Sequence, residues 1–234
     1  PNVPGTAGDV FANHPAAREW LTQFDVMWQK QLDYHRYPDS GIWEESHTYF
    51  QHVLATVLPL HRVRQLAGQH DAFASEAFQQ LIGGAIHQTT PPNDFYEDRR
   101  HVIAIGDHFA NPKLYHGLYR VCAEGIAPYN PQLAAELYWF YREMGGTRDI
   151  GIEPATPELH DEHLQGLGMF FRSADEQAGE VLFALRSGNA WGHHHEDDGS
   201  IQLFAFGTQL IGDSAWGHLQ AGENTLVLEL PVVK

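Results

Sequence analysis

Apolar residues recur at helical spacing through the first two thirds of the chain, and at alternating spacing in the last third. Over residues 15–34, Trp20, Leu21, Phe24, Val26, Met27 and Leu32 follow a helical period. The cluster Tyr37-Pro38-Asp39-Ser40-Gly41 then breaks it. A second helix is predicted over 46–67, carrying Tyr49, Val53, Val57, Leu60, Val63 and Leu66, with Pro59 expected to kink it. Further helices are predicted over 70–87, 112–124 and 131–144, with breaks at Pro91-Pro92 and Ala127-Pro128. After about Gly166 the texture changes. Residues 169–173, 180–186, 201–206, 209–212 and 224–230 read as short antiparallel strands joined by glycine-containing turns. Helices first and strands afterwards predict a multidomain α+β chain, with a helical portion over 1–165 and an antiparallel β portion over 166–234.

Composition narrows the partners. A chain of 234 residues can bury a sizeable core, and no apolar run reaches membrane-spanning length. The formal charge of −16 argues against nucleic acid and anionic membranes. A polyanionic substrate would therefore need a locally basic cleft. The single Cys122 excludes an internal disulfide. With 16 histidines in the chain, only those with a geometric argument carry weight.

The densest chemistry lies in Trp191-Gly192-His193-His194-His195-Glu196-Asp197-Asp198-Gly199-Ser200. If this stretch is extended, His193, His195 and Asp197 share one face. Asp213 would return beside them from the next strand of a hairpin. Two imidazoles and carboxylates on one sheet edge suit metal binding or proton chemistry. A cupin-type site would want a Glu three or four residues on, where this chain has Gly199 and Ser200. For zinc, His195 and Asp213 supply two ligands, and Glu223 or His218 would complete the set. The alternative is a solvated polar turn.

Two further segments are candidates. In Asp39-Ser40-Gly41-Ile42-Trp43-Glu44-Glu45-Ser46-His47-Thr48-Tyr49-Phe50, an acidic loop leads into a helix whose first turn presents His47 and Tyr49. A desolvated phenol can serve as acid or base, and a plain core aromatic is the alternative for Tyr49. Asp98-Arg99-Arg100-His101 offers planar guanidinium forks suited to carboxylates or sulfates. Here a charged loop is the alternative. Glu45, Arg99, Arg100 and His101 are the candidate substrate-binding residues.

Three stretches together resemble the heparinase II/III-like polysaccharide lyases. Residues 38–49 are similar to that family's Asp-Gly-Gly…Glu-Gly-x-x-Tyr segment, and Ile105-Gly106-Asp107 to its Phe-Gly-Asp. Phe171-Arg172-Ser173, through His193-His194-His195-Glu196-Asp197-Asp198-Gly199 to Gly212-Asp213-Ser214, is similar to its Arg-Ser…His-x-His-x-Asp-x-Gly…Asp-Ser-Gly pattern. The resemblance implies a partial (α/α) toroid followed by part of an antiparallel β-sandwich, with the cleft between them. It implies β-elimination on a uronate-containing glycan, such as alginate or a glycosaminoglycan, and a periplasmic or secreted location.

Residue by residue, the resemblance makes Tyr49 the proton donor to the leaving oxygen. His193 becomes the cleft histidine that neutralises the uronate carboxylate or acts as base, and His195 and Asp213 become zinc ligands. Glu223 stands where the third ligand would be His. The family's upstream Asn neutraliser has no counterpart, since only Asn2 and Asn13 precede Tyr49. The chain therefore reads as the central part of a larger lyase, or as a much reduced relative. The rival reading is a non-catalytic carbohydrate- or metal-binding relative of the same scaffold.

Overall fold

Asp71 and Ser75 set the first departure from the expected helices. The Asp71 carboxylate accepts from the Phe73 amide at 3.0 Å, and the Ser75 hydroxyl accepts from the Phe78 amide at 3.4 Å. These caps split the predicted 70–87 helix into a 3₁₀ turn, Ala72–Ala74, and a true helix, Glu76–His87. In the computed structural model, residues 14–106, 115–187 and 199–212 are described. They form helices α1 (Ala17–His35), α2 (His47–Leu66), α3 (Glu76–His87), α4 (His116–Ile126) and α5 (Pro131–Glu143). α2 runs through Pro59 without a break in helical assignment. α5 begins with proline in its first turn, and Asn130 Oδ1 accepts from the Leu133 amide at 3.1 Å. No described helix is long and apolar enough to cross a membrane.

The strands follow as a single meander. β1 (Glu162–Leu164), β2 (Gly168–Asp175), β3 (Gly179–Arg186), β4 (Ile201–Ala205) and β5 (Thr208–Ile211) pair antiparallel in chain order. β1 is too short to leave a periodic signal, and it starts ahead of residue 166. The β4–β5 hairpin is present, but Asp213 and the expected strand over 224–230 lie outside the described residues. Among the described residues there is one five-stranded sheet and five α-helices, so the fold is α+β. Neither a second sheet nor a closed helical ring is seen among them.

Two apolar clusters hold these elements. The larger lies within the helices around Leu54, Phe73, Phe78, Tyr119, Leu137 and Phe140, all fully buried. The smaller lies under the sheet. Phe170, Leu182, Ala184 and Phe204 point from alternate strand positions onto Ile42, Ile103 and Ile105. Those three isoleucines belong to the loops after α1 and α3, so the sheet face is packed on loops of the helical half. Arg172 adds a polar tie, its Nη2 donating to the His87 carbonyl at the α3 C-terminus at 2.8 Å.

Candidate active-site cleft

The loop between α1 and α2 is where the helices, the sheet and the candidate residues meet. Its shape is set by backbone bonds. The Tyr37 amide donates to Ile42 O at 2.9 Å, the Gly41 amide to Tyr37 O at 2.8 Å, and the Glu44 amide to His35 O at 2.7 Å. The Ser40 hydroxyl donates to Gln165 O at 2.9 Å, tying the loop to the β1–β2 turn. The Trp43 indole N–H donates to Glu45 Oε2 at 3.2 Å, while its ring lies 5.0 Å from His35. His35 in turn bonds Glu44 Oε2 at 3.1 Å. The Trp43, Glu44 and Glu45 side chains are thus held before α2 begins at His47.

A narrow cleft lies here, lined by Trp43, Glu45, Ser46 and His47 of this segment together with Gln88, Ile105, Leu167 and Arg186. Its open volume is about 10 Å³ between the described walls, room for one water or one ligand oxygen. Arg186 is buried and Glu45 half-buried in it. His47 Nε2 lies 2.6 Å from the Tyr119 hydroxyl, which also accepts from the Gln51 amide at 3.1 Å. Burial pushes the Tyr119 phenol above its ordinary range, against the hydrogen bond from Gln51.

Tyr49, half-buried on the same first turn of α2, is not among the described walls of this cleft. Its ring lies 5.9 Å from His52, which lies 5.3 Å from Tyr115, each pair near perpendicular. Tyr49 therefore packs on His52, while Glu45 and His47 line the cleft.

The remaining sequence candidates lie elsewhere. Arg100 has its Nε on Glu143 Oε2 at 3.0 Å, its Nη1 on Glu180 Oε2 at 2.6 Å and its Nη2 on Glu180 Oε1. Its guanidinium sits 5.4 Å from the Trp139 ring. It borders a second groove, about 320 Å³, shared with Arg172, Thr156 and Pro157. Burial lowers the Arg172 guanidinium to about 10. His101 is buried, with Nδ1 on the Val102 carbonyl at 2.8 Å and its ring stacked on Tyr96 at 4.7 Å. Burial lowers it to about 4. Arg99 stays partly exposed, 3.8 Å from Glu97. A third groove of about 470 Å³, with Asp39, Glu76, Gln80 and Glu136 on its walls, lies against the outer side of the same loop.

His193, His195, Asp213, Glu223 and His218 all lie outside the described residues. Among the described residues no group of three His, Cys, Asp or Glu side chains is placed to hold a metal ion. Sequence reasoning noted His47 without nominating it, and passed over Gln88 and Arg186. The signal for His47 was its position in the first turn of α2, but its partner Tyr119 is 72 residues away.

No family model matches the chain, and no curated protein sequence matches it. Among solved structures it is similar to heparinase III. One structure, with methylated lysines, superposes on 93% of this chain at a TM-score of 0.63 and 15% identity. Another superposes on 92% at 0.62 and 14%. In both, the chain spans 32% of the solved protein's length. The fold of this chain is therefore heparinase-like over nearly all of its length, and corresponds to about a third of that larger protein.

Proposed function

We propose that this chain is part of a polysaccharide lyase that cleaves a uronate-containing glycan by β-elimination. The observation that supports this most is the heparinase-like fold over 93% of the chain, with the loop and helix start over residues 38–49 built into the junction of helices and sheet. In this reading Tyr49 and His193 carry the proton transfers. A base takes the C5 proton, its electron pair forms the C4–C5 double bond, and the C4–O bond breaks. Tyr49 delivers a proton to the departing oxygen. Donors at the carboxylate stabilise the charge that develops on it. No water is consumed, so the pair of carboxylates needed for hydrolysis is not required.

His195, Asp213 and Glu223 are the proposed zinc ligands, the metal bracing the sheet beside the cleft. Glu45 is the proposed glycan contact at the cleft. Arg99, Arg100 and His101 remain candidates away from this cleft, Arg99 partly exposed and Arg100 and His101 buried. Of these, Arg100 has the most to give up, because its fork already holds two carboxylates. The proposal includes an exported location, where such polymers are met.

The test is ultraviolet absorbance of unsaturated uronate over a panel of alginate, heparan-type and hyaluronan chains. A rising signal on one of them supports the lyase reading and names its substrate. Silence on all of them, from folded protein that still binds one, favours a non-catalytic glycan-binding role.

A further inference from the structure

The inward face of the β2–β3 hairpin changes character along its length. Phe170, Leu182 and Ala184 are buried on it against loops of the helical half. Farther along, the same face carries Arg172, opposite Leu182, and the facing pair Ala174 and Glu180. Between this end of the sheet, Trp139 on α5 and the segment over 156–159 lies the groove of about 320 Å³. Its volume is that of a small-molecule site, unlike the narrow cleft at His47.

Arg172 is held in this groove without being neutralised. Its Nη2 donates to the His87 carbonyl at 2.8 Å and its backbone amide to Asp161 Oδ1 at 2.6 Å. Three carboxylates act on its charge from a distance, and each has another partner. Glu162 Oε1 lies 3.0 Å from His87 Nδ1, Glu180 is gripped by both Nη atoms of Arg100, and Asp161 takes the Arg172 amide. Among the described residues, neither Nε nor Nη1 of Arg172 has a hydrogen-bond acceptor. Nε is buried, whereas Nη1 is not. Burial holds this guanidinium at about 10, so it is charged at neutral pH although the fold disfavours the charge. A fixed cation with an open N–H pair and no close carboxylate is a donor for an anion brought from outside.

The rest of the groove narrows the choice of anion. Trp139, Pro157, Leu159 and Val181 give it apolar walls, and the exposed Ser173 and Thr156 add hydroxyls. Apolar surface with a few polar groups suits a molecule with both C–H faces and hydroxyls. The net charge of −16 and the nearby Glu180 count against a large polyanion here, but Arg100 already neutralises Glu180.

We propose that this groove binds one acidic sugar unit, with its carboxylate or sulfate on Arg172 Nη1 and its ring against the apolar walls. Arg100 is the positioning residue that keeps Glu180 from pairing with Arg172. The choice of a sugar rests on the lyase reading above; the anion site does not.

The experiment is NMR of arginine-labelled full chain, following the Arg172 side-chain signals. The titrants are methyl β-D-glucuronide, methyl β-D-glucoside and inorganic sulfate. The glucuronide should move the Arg172 signals saturably at about millimolar concentration, and the neutral glucoside should not. Arg172→Gln should weaken that binding about tenfold or more, the loss of one charge-assisted hydrogen bond. Thr156→Glu leaves Arg172 and its bond to His87 intact and puts a negative charge on an exposed wall of the groove. It should weaken binding by a similar factor. Arg172 signals that the glucuronide leaves unmoved overturn the proposal, as does unchanged affinity in Thr156→Glu. Sulfate that binds as tightly as the glucuronide marks a bare anion site and overturns the sugar. Arg172 shifts with glucuronide, in a chain that yields no unsaturated uronate, uphold this site and remove the lyase reading instead.

Discussion

Gly41 lies directly against the backbone of Gln80, so that a Cβ at Gly41 would stand 2.3 Å from the Gln80 carbonyl oxygen. The residue also has φ +71, a region that favours glycine. This contact lets the loop before α2 settle onto α3. Gly84 on α3 supplies the matching small face, where a Cβ would come within 3.2 Å of Ser40 O.

Gly41→Ala should therefore cost about 2–4 kcal/mol, combining the left-handed backbone with a clash against main chain that cannot move aside. Urea unfolding should show the midpoint falling without a change in slope. Because the same loop carries Trp43, Glu45 and the start of α2, any glycan binding should weaken with it.

A gain in stability is expected at the β4–β5 turn. Phe206 and Gly207 both have positive φ, 56 and 69, the pattern of a two-residue hairpin turn that favours Asn-Gly. Phe206 is 66% exposed, so its ring returns little burial for that backbone strain. Phe206→Asn should raise stability by about 1 kcal/mol, read as a higher thermal midpoint.

These two positions mark how far the sequence could be read. The helical periods of 15–34, 46–67 and 131–144 were legible because one apolar face repeats over several turns. The four longer strands were legible by alternation, as at Phe170, Leu182 and Phe204. The split at Ser75 was not, because an apolar period continues through Phe73 and Phe78 while two short caps decide the break. At the site, the segment over 38–49 stood out by its residues. The role of Gly41 and the pairing of His47 with Tyr119 did not, since each depends on an element distant in the chain. Arg100 looked available because the sequence conceals Glu143 and Glu180 as its partners.

Acid should loosen the fold through two buried histidines. Burial, then Arg64, lowers His61 from 6.5 to about 4, and burial lowers His101 likewise. His61 lies among Phe24, Trp28 and Phe78, with neither ring nitrogen hydrogen-bonded among the described residues. Both are neutral in the fold, whereas in the unfolded chain they take up protons below 6.5. Their contribution is thus intact above pH 6.5 and is lost as pH falls toward 4, by about 2 kcal/mol each at pH 5. Urea midpoints measured from pH 7 to pH 4 should fall accordingly. His61→Leu should remove one of the two losses and leave stability at pH 7 unchanged or higher, since it deletes two unbonded buried nitrogens.

The zinc proposal stands apart from the cleft chemistry. Protein purified without chelator should carry about one zinc per chain if His195, Asp213 and Glu223 close a site with a fourth ligand. His195→Ala should lower that content and the thermal midpoint together. Metal-free protein of unchanged stability would remove zinc from the account.

Tyr49→Phe separates chemistry from scaffold. The ring faces His52 at 5.9 Å, and phenylalanine preserves that aromatic contact while deleting the only group able to donate a proton. Helix propensity is nearly the same for the two residues, so the unfolding free energy should change by less than about 0.5 kcal/mol. In the lyase reading, kcat should fall by about 10²–10⁴, the range a positioned general acid contributes. KM should change little, because the lost proton matters only as the glycosidic oxygen leaves. A Phe variant that turns over as fast as the parent would move the acid role elsewhere. His52, whose ring lies between those of Tyr49 and Tyr115, would then be the next group to replace.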